Sequence, residues 1–125
     1  MQRVVVSGAS IGTQGLLETL IASQLLLTVG CYEPDESLID MVGLTALSQI
    51  CQNTFAKVTP KVLKAADILI LTDTGSPDAD DFIETNIAAI RKVLNSAMAA
   101  GFTGRIIVAM TRDCLLYTSP SPRDS

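Results

Sequence analysis

The feature that most constrains this chain is a regular alternation of short, β-rich apolar runs with segments of helical period. Arg3 to Ser7, Leu25 to Tyr32, Phe55 to Thr59, Asp67 to Thr72 and Arg105 to Met110 are the β-rich runs. Most are apolar at consecutive rather than alternate positions, the pattern of strands covered on both faces. Between them, Thr13 to Ser23 carries Leu16, Leu17, Leu20 and Ile21 on one stripe. A second helix is expected through Met41, Leu44, Leu47 and Ile50, with Ser37 and Asp40 resembling a capping pattern ahead of it. Pro60 opens a brief helical turn over Lys61 to Ala66. From about Ala79 to Ala100, the residues Ile83, Ile87, Ile90, Leu94 and Ala97 recur at helical spacing, and Gly101 stands where a left-handed cap belongs.

Strand–helix alternation with right-handed crossovers leads to a parallel, doubly wound α/β sheet with helices on both faces. The expected strand order is 3-2-1-4-5, a Rossmann-type sheet ending after strand five. Met1 to Met110 make up that one domain. Thr111 to Ser125 fall outside it: two prolines and no apolar period replace the helix due after strand five. Cys114 to Ser125 resembles translated sequencing-adapter read-through, so these residues are expected to be an artefactual, disordered tail and the domain to be cut short there. A bare edge at strand five is a further expectation.

Several function classes are excluded by composition. A net charge of −4 with 4% aromatics lacks the clustered cations and stacking rings of a nucleic-acid surface. The apolar runs Leu25 to Val29 and Ile68 to Leu71 fall far short of the ~20 residues that cross a bilayer. No secretory leader pattern precedes Arg3, which leaves a cytoplasmic or matrix setting, with the cytoplasm the expected one. Cys31, Cys51 and Cys114 lack close metal-ligand spacing and read as reduced thiols, with no metal expected.

In an open α/β sheet, ligands bind beyond the C-terminal strand ends where the strand order reverses, here between strands one and four. The segment Ser7-Gly8-Ala9-Ser10-Ile11-Gly12-Thr13-Gln14-Gly15 is expected to form the turn there. Glycines let a backbone approach a diphosphate, and helix N–H groups face its charge. The spacing is G-x-x-x-G-x-x-G rather than G-x-G-x-x-G, so the segment reads either as a nucleotide-binding turn or simply as a good turn. Gly8, Ser10, Ile11 and Gly12 are the candidate contacts. Glu33 closes strand two, where a carboxylate can accept both ribose hydroxyls and repels a 2′-phosphate, favouring NAD over NADP. Asp35 and Glu36 compete for that role. Thr72 and Gly75 bound the loop expected beside the cofactor; Asp73 between them is unfavourable beside a diphosphate unless it points to solvent.

With these residues placed, Arg3 to Met110 resembles the N-terminal half of the lactate/malate dehydrogenase family. The likeness rests on Val4-Val5-Val6-Ser7-Gly8-Ala9-Ser10, on Cys31-Tyr32-Glu33, on Ala66-Asp67-Ile68-Leu69-Ile70, and on Asp81-Phe82-Ile83-Glu84-Thr85-Asn86, similar to that family's D-L-x-x-x-N helix start. The resemblance implies NAD-dependent exchange between a 2-hydroxy acid and its 2-keto acid, and a homo-oligomeric parent. That chemistry needs a His–Asp pair and arginines that hold the substrate carboxylate. This sequence has no histidine, and Gly75 to Asp81 has no arginine, so no catalytic residue is assigned and no turnover is expected of these residues. Two alternatives stand: a catalytically silent dehydrogenase-fold module, and a fragment of a short-chain dehydrogenase. The second needs Y-x-x-x-K, which neither Tyr32 nor Tyr117 supplies.

Overall fold

The computed structural model describes residues 2–75 and 78–109. The expected boundary at Met110, the segment 111–125, and Ser76 and Pro77 of the loop lie outside the described residues. The elements are β1 (Gln2–Ala9), α1 (Ile11–Ile21), β2 (Leu27–Tyr32), α2 (Met41–Ile50), β3 (Thr54–Val58), a 3-10 helix (Pro60–Ala65), β4 (Ile68–Thr74), α3 (Phe82–Ala100) and β5 (Arg105–Ala109). All neighbouring strands pair in parallel in the order β3-β2-β1-β4-β5, as the alternation implied.

The sheet separates two cores. Val4, Val6, Val29, Cys31 and Ile70 point to the face covered by α1 and α2, where they meet Leu17, Ile21 and Leu44. Val5, Tyr32, Leu69 and Leu71 point to the other, under α3 and the 3-10 helix, against Leu63, Ile90, Val93 and Ala97. Successive residues of the central strands are thus buried on opposite faces, which is why their sequences do not alternate. β5 lies at a sheet end, with Ile106 and Ile107 each 46% exposed.

Three local readings need correction. The turn after β1 is far tighter than the glycine-rich segment predicted: β1 continues through Gly8 to Ala9 with a register irregularity, and Ser10 alone separates it from α1. Gly12 and Gly15 therefore lie within the helix rather than in a turn. The second helix is capped by Asp40, whose Oδ1 accepts from the Gly43 N–H at 2.9 Å, whereas Ser37 donates its hydroxyl to Asp35 at 2.6 Å. The buried face of α3 runs through Phe82, Asn86, Ile90, Val93 and Ala97, so Ile90 and Ala97 of the expected stripe are buried while Ile83, Ile87 and Leu94 lie half-buried at its flank. Gly101 does cap α3 in the left-handed conformation, φ 86°.

Candidate nucleotide site

The turn joining β1 to α1 is held by a closed set of hydroxyls. Thr72 Oγ1 donates its single proton to the Ser7 carbonyl at 2.6 Å. At the 2.7 Å contact between the two threonine hydroxyls, Thr13 must therefore be the donor. Thr13 Oγ1 in turn accepts from the Ser10 N–H at 3.1 Å, and the Thr13 N–H donates to Ser10 Oγ at 3.2 Å, a reciprocal cap on α1. That leaves the Ser10 hydroxyl proton for Asp73, whose Oδ1 accepts it at 2.7 Å.

Asp73 contradicts the condition set for it by sequence. β4 runs two residues beyond its expected end, which carries Asp73 into the sheet, 2% exposed, instead of out to solvent. Its carboxylate rests against the cap of α1, where backbone N–H groups and the helix dipole favour negative charge. A side-chain anion thus stands beside the position at which a diphosphate meets this fold.

Gly8 has φ 131°, and a Cβ there would meet Thr72 Oγ1 at 2.0 Å and the Thr72 carbonyl at 2.8 Å. Its lack of a side chain is thus required first by the approach of β1 to β4. Gly75, φ 84°, brings the chain back over β1 by donating its N–H to the Ala9 carbonyl at 3.1 Å. Asn86 fixes that return: its Oδ1 accepts from the Thr74 N–H at 2.7 Å, and its Nδ2 donates to the Thr74 and Phe82 carbonyls at 3.1 and 2.8 Å.

Beyond the strand ends lies a crevice of about 180 Å³ lined by Ser7, Gly8, Ala9, Tyr32, Glu33, Asp35, Thr74, Ala89, Lys92 and Val93. Glu33 is exposed, and at φ 40° it is the left-handed non-glycine residue among those described. Its N–H donates to the Val58 carbonyl at 3.0 Å, so the end of β3 holds the strained residue in place. The competing acids have other partners. Glu36 pairs with Lys57, and Asp35 accepts from both the N–H and the hydroxyl of Ser37, which holds its carboxyl below the usual range. Tyr32 is 5% exposed, and its hydroxyl makes no hydrogen bond of good geometry among the described residues. Burial pushes its phenol up, the nearby Ser96 opposes this, and the Glu33 charge adds to it.

Of the residues singled out by sequence, the structure brings Gly8 and Glu33 to one crevice and gathers Ser10, Thr72 and Gly75 at the turn beside it. Ile11, 93% exposed, and Gly12 occupy the first turn of α1. Thr72 is buried under the turn with its hydroxyl spent on Ser7, so it braces the site rather than facing a ligand. Sequence reasoning did not assign Thr13, Tyr32 or Lys92. Ser10-x-x-Thr13 was a readable signal for the first of these; Tyr32 and Lys92 meet only through folding.

No protein-family model matches the sequence, and no curated protein matches it. Solved structures do. A lactate dehydrogenase from a Medee basin deep-sea metagenome library matches with a TM-score of 0.67 at 15% identity, over 88% of this chain and 38% of that one. The minor L-lactate dehydrogenase from Enterococcus mundtii matches with TM-scores of 0.69 in its ligands-bound form and 0.70 in its ligands-unbound form, at 18% and 20% identity. Each covers 88% of this chain, which spans 38% and 36% of the respective enzyme chains. With its parallel order β3-β2-β1-β4-β5, the chain has the Rossmann-type fold of lactate dehydrogenase N-terminal domains.

Proposed function

We propose that this chain is the NAD(H)-binding portion of an oxidoreductase that acts on a 2-hydroxy acid and its 2-keto acid, of lactate or malate type, without a catalytic apparatus of its own. The observation that carries the reading is the crevice beyond β1 and β2, with Gly8 in its wall and the strained Glu33 at its rim. The residues present fit the adenosine end of such a cofactor. Tyr32, Ala89 and Val93 offer apolar surface to a base, and the Glu33 carboxylate can accept two ribose hydroxyls while repelling a 2′-phosphate. Bound NAD supplies the redox chemistry; the chain's own residues bind and orient it. With no histidine, these residues hold no imidazole for proton transfer, and Gly75 to Asp81 provides no guanidinium for a substrate carboxylate. The intact protein is proposed to be a cytoplasmic homo-oligomer. Among the described residues, no helix is long and apolar enough to cross a membrane.

A second reading, a silent dehydrogenase-fold binding module, is favoured by Asp73, whose buried carboxylate stands where a diphosphate would approach α1. Titration with NADH and NADPH tests the first reading. NADH should bind about tenfold more tightly, a difference of ~1.4 kcal/mol. Equal affinities, or no binding by a chain that circular dichroism shows to be folded, would overturn it. Lactate- or malate-dependent NADH formation by this chain would overturn the claim that it lacks catalytic residues.

A further inference from the structure

Asp73 changes which part of a nucleotide this site can use. The Thr13 N–H at the first turn of α1 is already taken by Ser10 Oγ, and the hydroxyl of that same serine is given to Asp73. In the dinucleotide fingerprint the second glycine lets the backbone approach the diphosphate, and here Ser10 stands at that position with its hydroxyl held by Asp73. The missing Cβ of Gly8 faces Thr72 Oγ1 and serves the approach of β1 to β4. The neighbouring crevice has a volume of about 180 Å³. Two more acids, Glu33 and Asp35, lie in its wall, with Lys92 as the cation among the lining residues. Tyr32 also lines the crevice, and its buried hydroxyl makes no hydrogen bond of good geometry among the described residues.

We infer that Asp73 is a specificity-determining residue that sets the site against the diphosphate, leaving an unphosphorylated, adenosine-like nucleoside as the group it holds best. The inference rests on the adenosine-binding part of the reading above and narrows it, because it sets the site against the diphosphate that NAD also carries. A nucleoside offers Glu33 two ribose hydroxyls and carries no charge towards Asp73. A nucleoside diphosphate brings its anions to a helix end where a carboxylate is already fixed, so the like charges repel and the helix dipole is already matched. Whatever favourable energy the α1 N-terminus would give a diphosphate is thereby offset.

Isothermal titration of the full chain with adenosine, ADP and NADH at one ionic strength tests this. In the native protein, ADP should bind at least threefold more weakly than adenosine. Asp73→Asn, which removes the charge and keeps the shape, should raise the ratio of ADP to adenosine affinity at least tenfold, with NADH following ADP. Asp73→Ser serves the same purpose should the amide fail to fold, and the native ratio needs no variant. Tighter binding of ADP than adenosine by the native chain, or an unchanged ratio in the variants, would overturn the inference. If the folded native chain binds none of the three ligands, the nucleotide reading fails and takes this one with it. Adenosine binding with no effect of Asp73 removes only the inference.

Discussion

The two ends of the sheet are built differently. At the end where the strands begin, polar groups stitch chain to chain. The Asp67 carboxylate accepts from the Arg3 N–H at 2.8 Å, while its backbone bonds Arg3 and Arg105 at 2.8 and 2.9 Å, joining β1, β4 and β5. Asn53 does likewise for β2, accepting from the Leu27 N–H at 2.9 Å and donating to the Leu20 and Ser23 carbonyls at 2.9 and 3.2 Å. At the end where the strands finish, the backbone is strained and charge is confined. Gly8 and Glu33 have positive φ, and the Asp73 carboxylate is buried against a helix cap. At the first end the positive-φ residue is Gly101, a glycine that caps α3 without strain. Strain and buried charge gather at the other, which is where open α/β sheets bind ligands.

The sharpest way to break this comparison is at Gly8. A methyl group there meets Thr72 atoms at 2.0 and 2.8 Å on a backbone that side chains avoid, so two penalties add. Gly8→Ala should cost about 3 kcal/mol or more, read from the urea midpoint. A loss below ~1 kcal/mol would mean that β1 and β4 can separate at this end.

The two buried asparagines make a paired test. Asn86 and Asn53 are each 1% exposed and each make three hydrogen bonds to backbone. Replacement by leucine leaves buried N–H and C=O groups unmatched and should cost about 2–3 kcal/mol at either position. Their effects on binding should diverge. Asn86 positions Thr74, which lines the crevice, so Asn86→Leu should weaken adenosine binding while Asn53→Leu leaves it within twofold. Equal effects on binding would dissolve the distinction between the two ends.

How much of this was legible follows from the kind of signal each part carries. Strand order was readable because Val4-Val5-Val6 and Ile68-Leu69-Ile70 advertise burial on both faces, and the crossover rule then leaves few topologies. Glu33 was readable as the acid closing β2, but its left-handed backbone was not, since nothing local demands it and the Val58 carbonyl that secures it belongs to another strand. The β1–α1 turn was misread because three glycines suggest a loop, whereas the Ser10–Thr13 cap lets α1 start immediately. Asp73 was expected at a loop edge. A hydroxyl some sixty positions away in the chain holds it inside, a long-range partner that periodicity cannot show.

Between the two ends lies the buried sheet itself, and Cys31 reports on it. Burial raises its thiol from 9.0 to about 11. The unfolded chain therefore loses this proton from about pH 9, while the folded chain keeps it until about pH 11. The contribution is complete below pH 9 and is lost as the pH rises through 11, reaching about 2 kcal/mol by pH 11. The urea midpoint should fall over that window, and Cys31→Val should flatten the fall. An unchanged slope in the variant would place the loss elsewhere, with the raised Tyr32 phenol next to be tested through Tyr32→Phe.

Glu33→Gly should have the smallest effect on stability and the clearest meaning. A non-glycine residue in the left-handed region costs about 1–2 kcal/mol, which glycine would recover. Glycine also gives the unfolded chain more freedom, a loss of roughly 0.5–1 kcal/mol. The two nearly cancel, so the midpoint should stay within ~0.5 kcal/mol of native or rise slightly. The Glu33 N–H bond to Val58 is unaffected, because it uses only backbone. Adenosine binding should nevertheless fall at least tenfold, since the ribose acceptor is gone. A residue whose removal leaves the fold intact and abolishes binding belongs to the ligand rather than to the scaffold. If Glu33→Gly instead weakens the fold and leaves binding unchanged, the strain at φ 40° is structural, and the strand-finishing end loses its claim to be the working one.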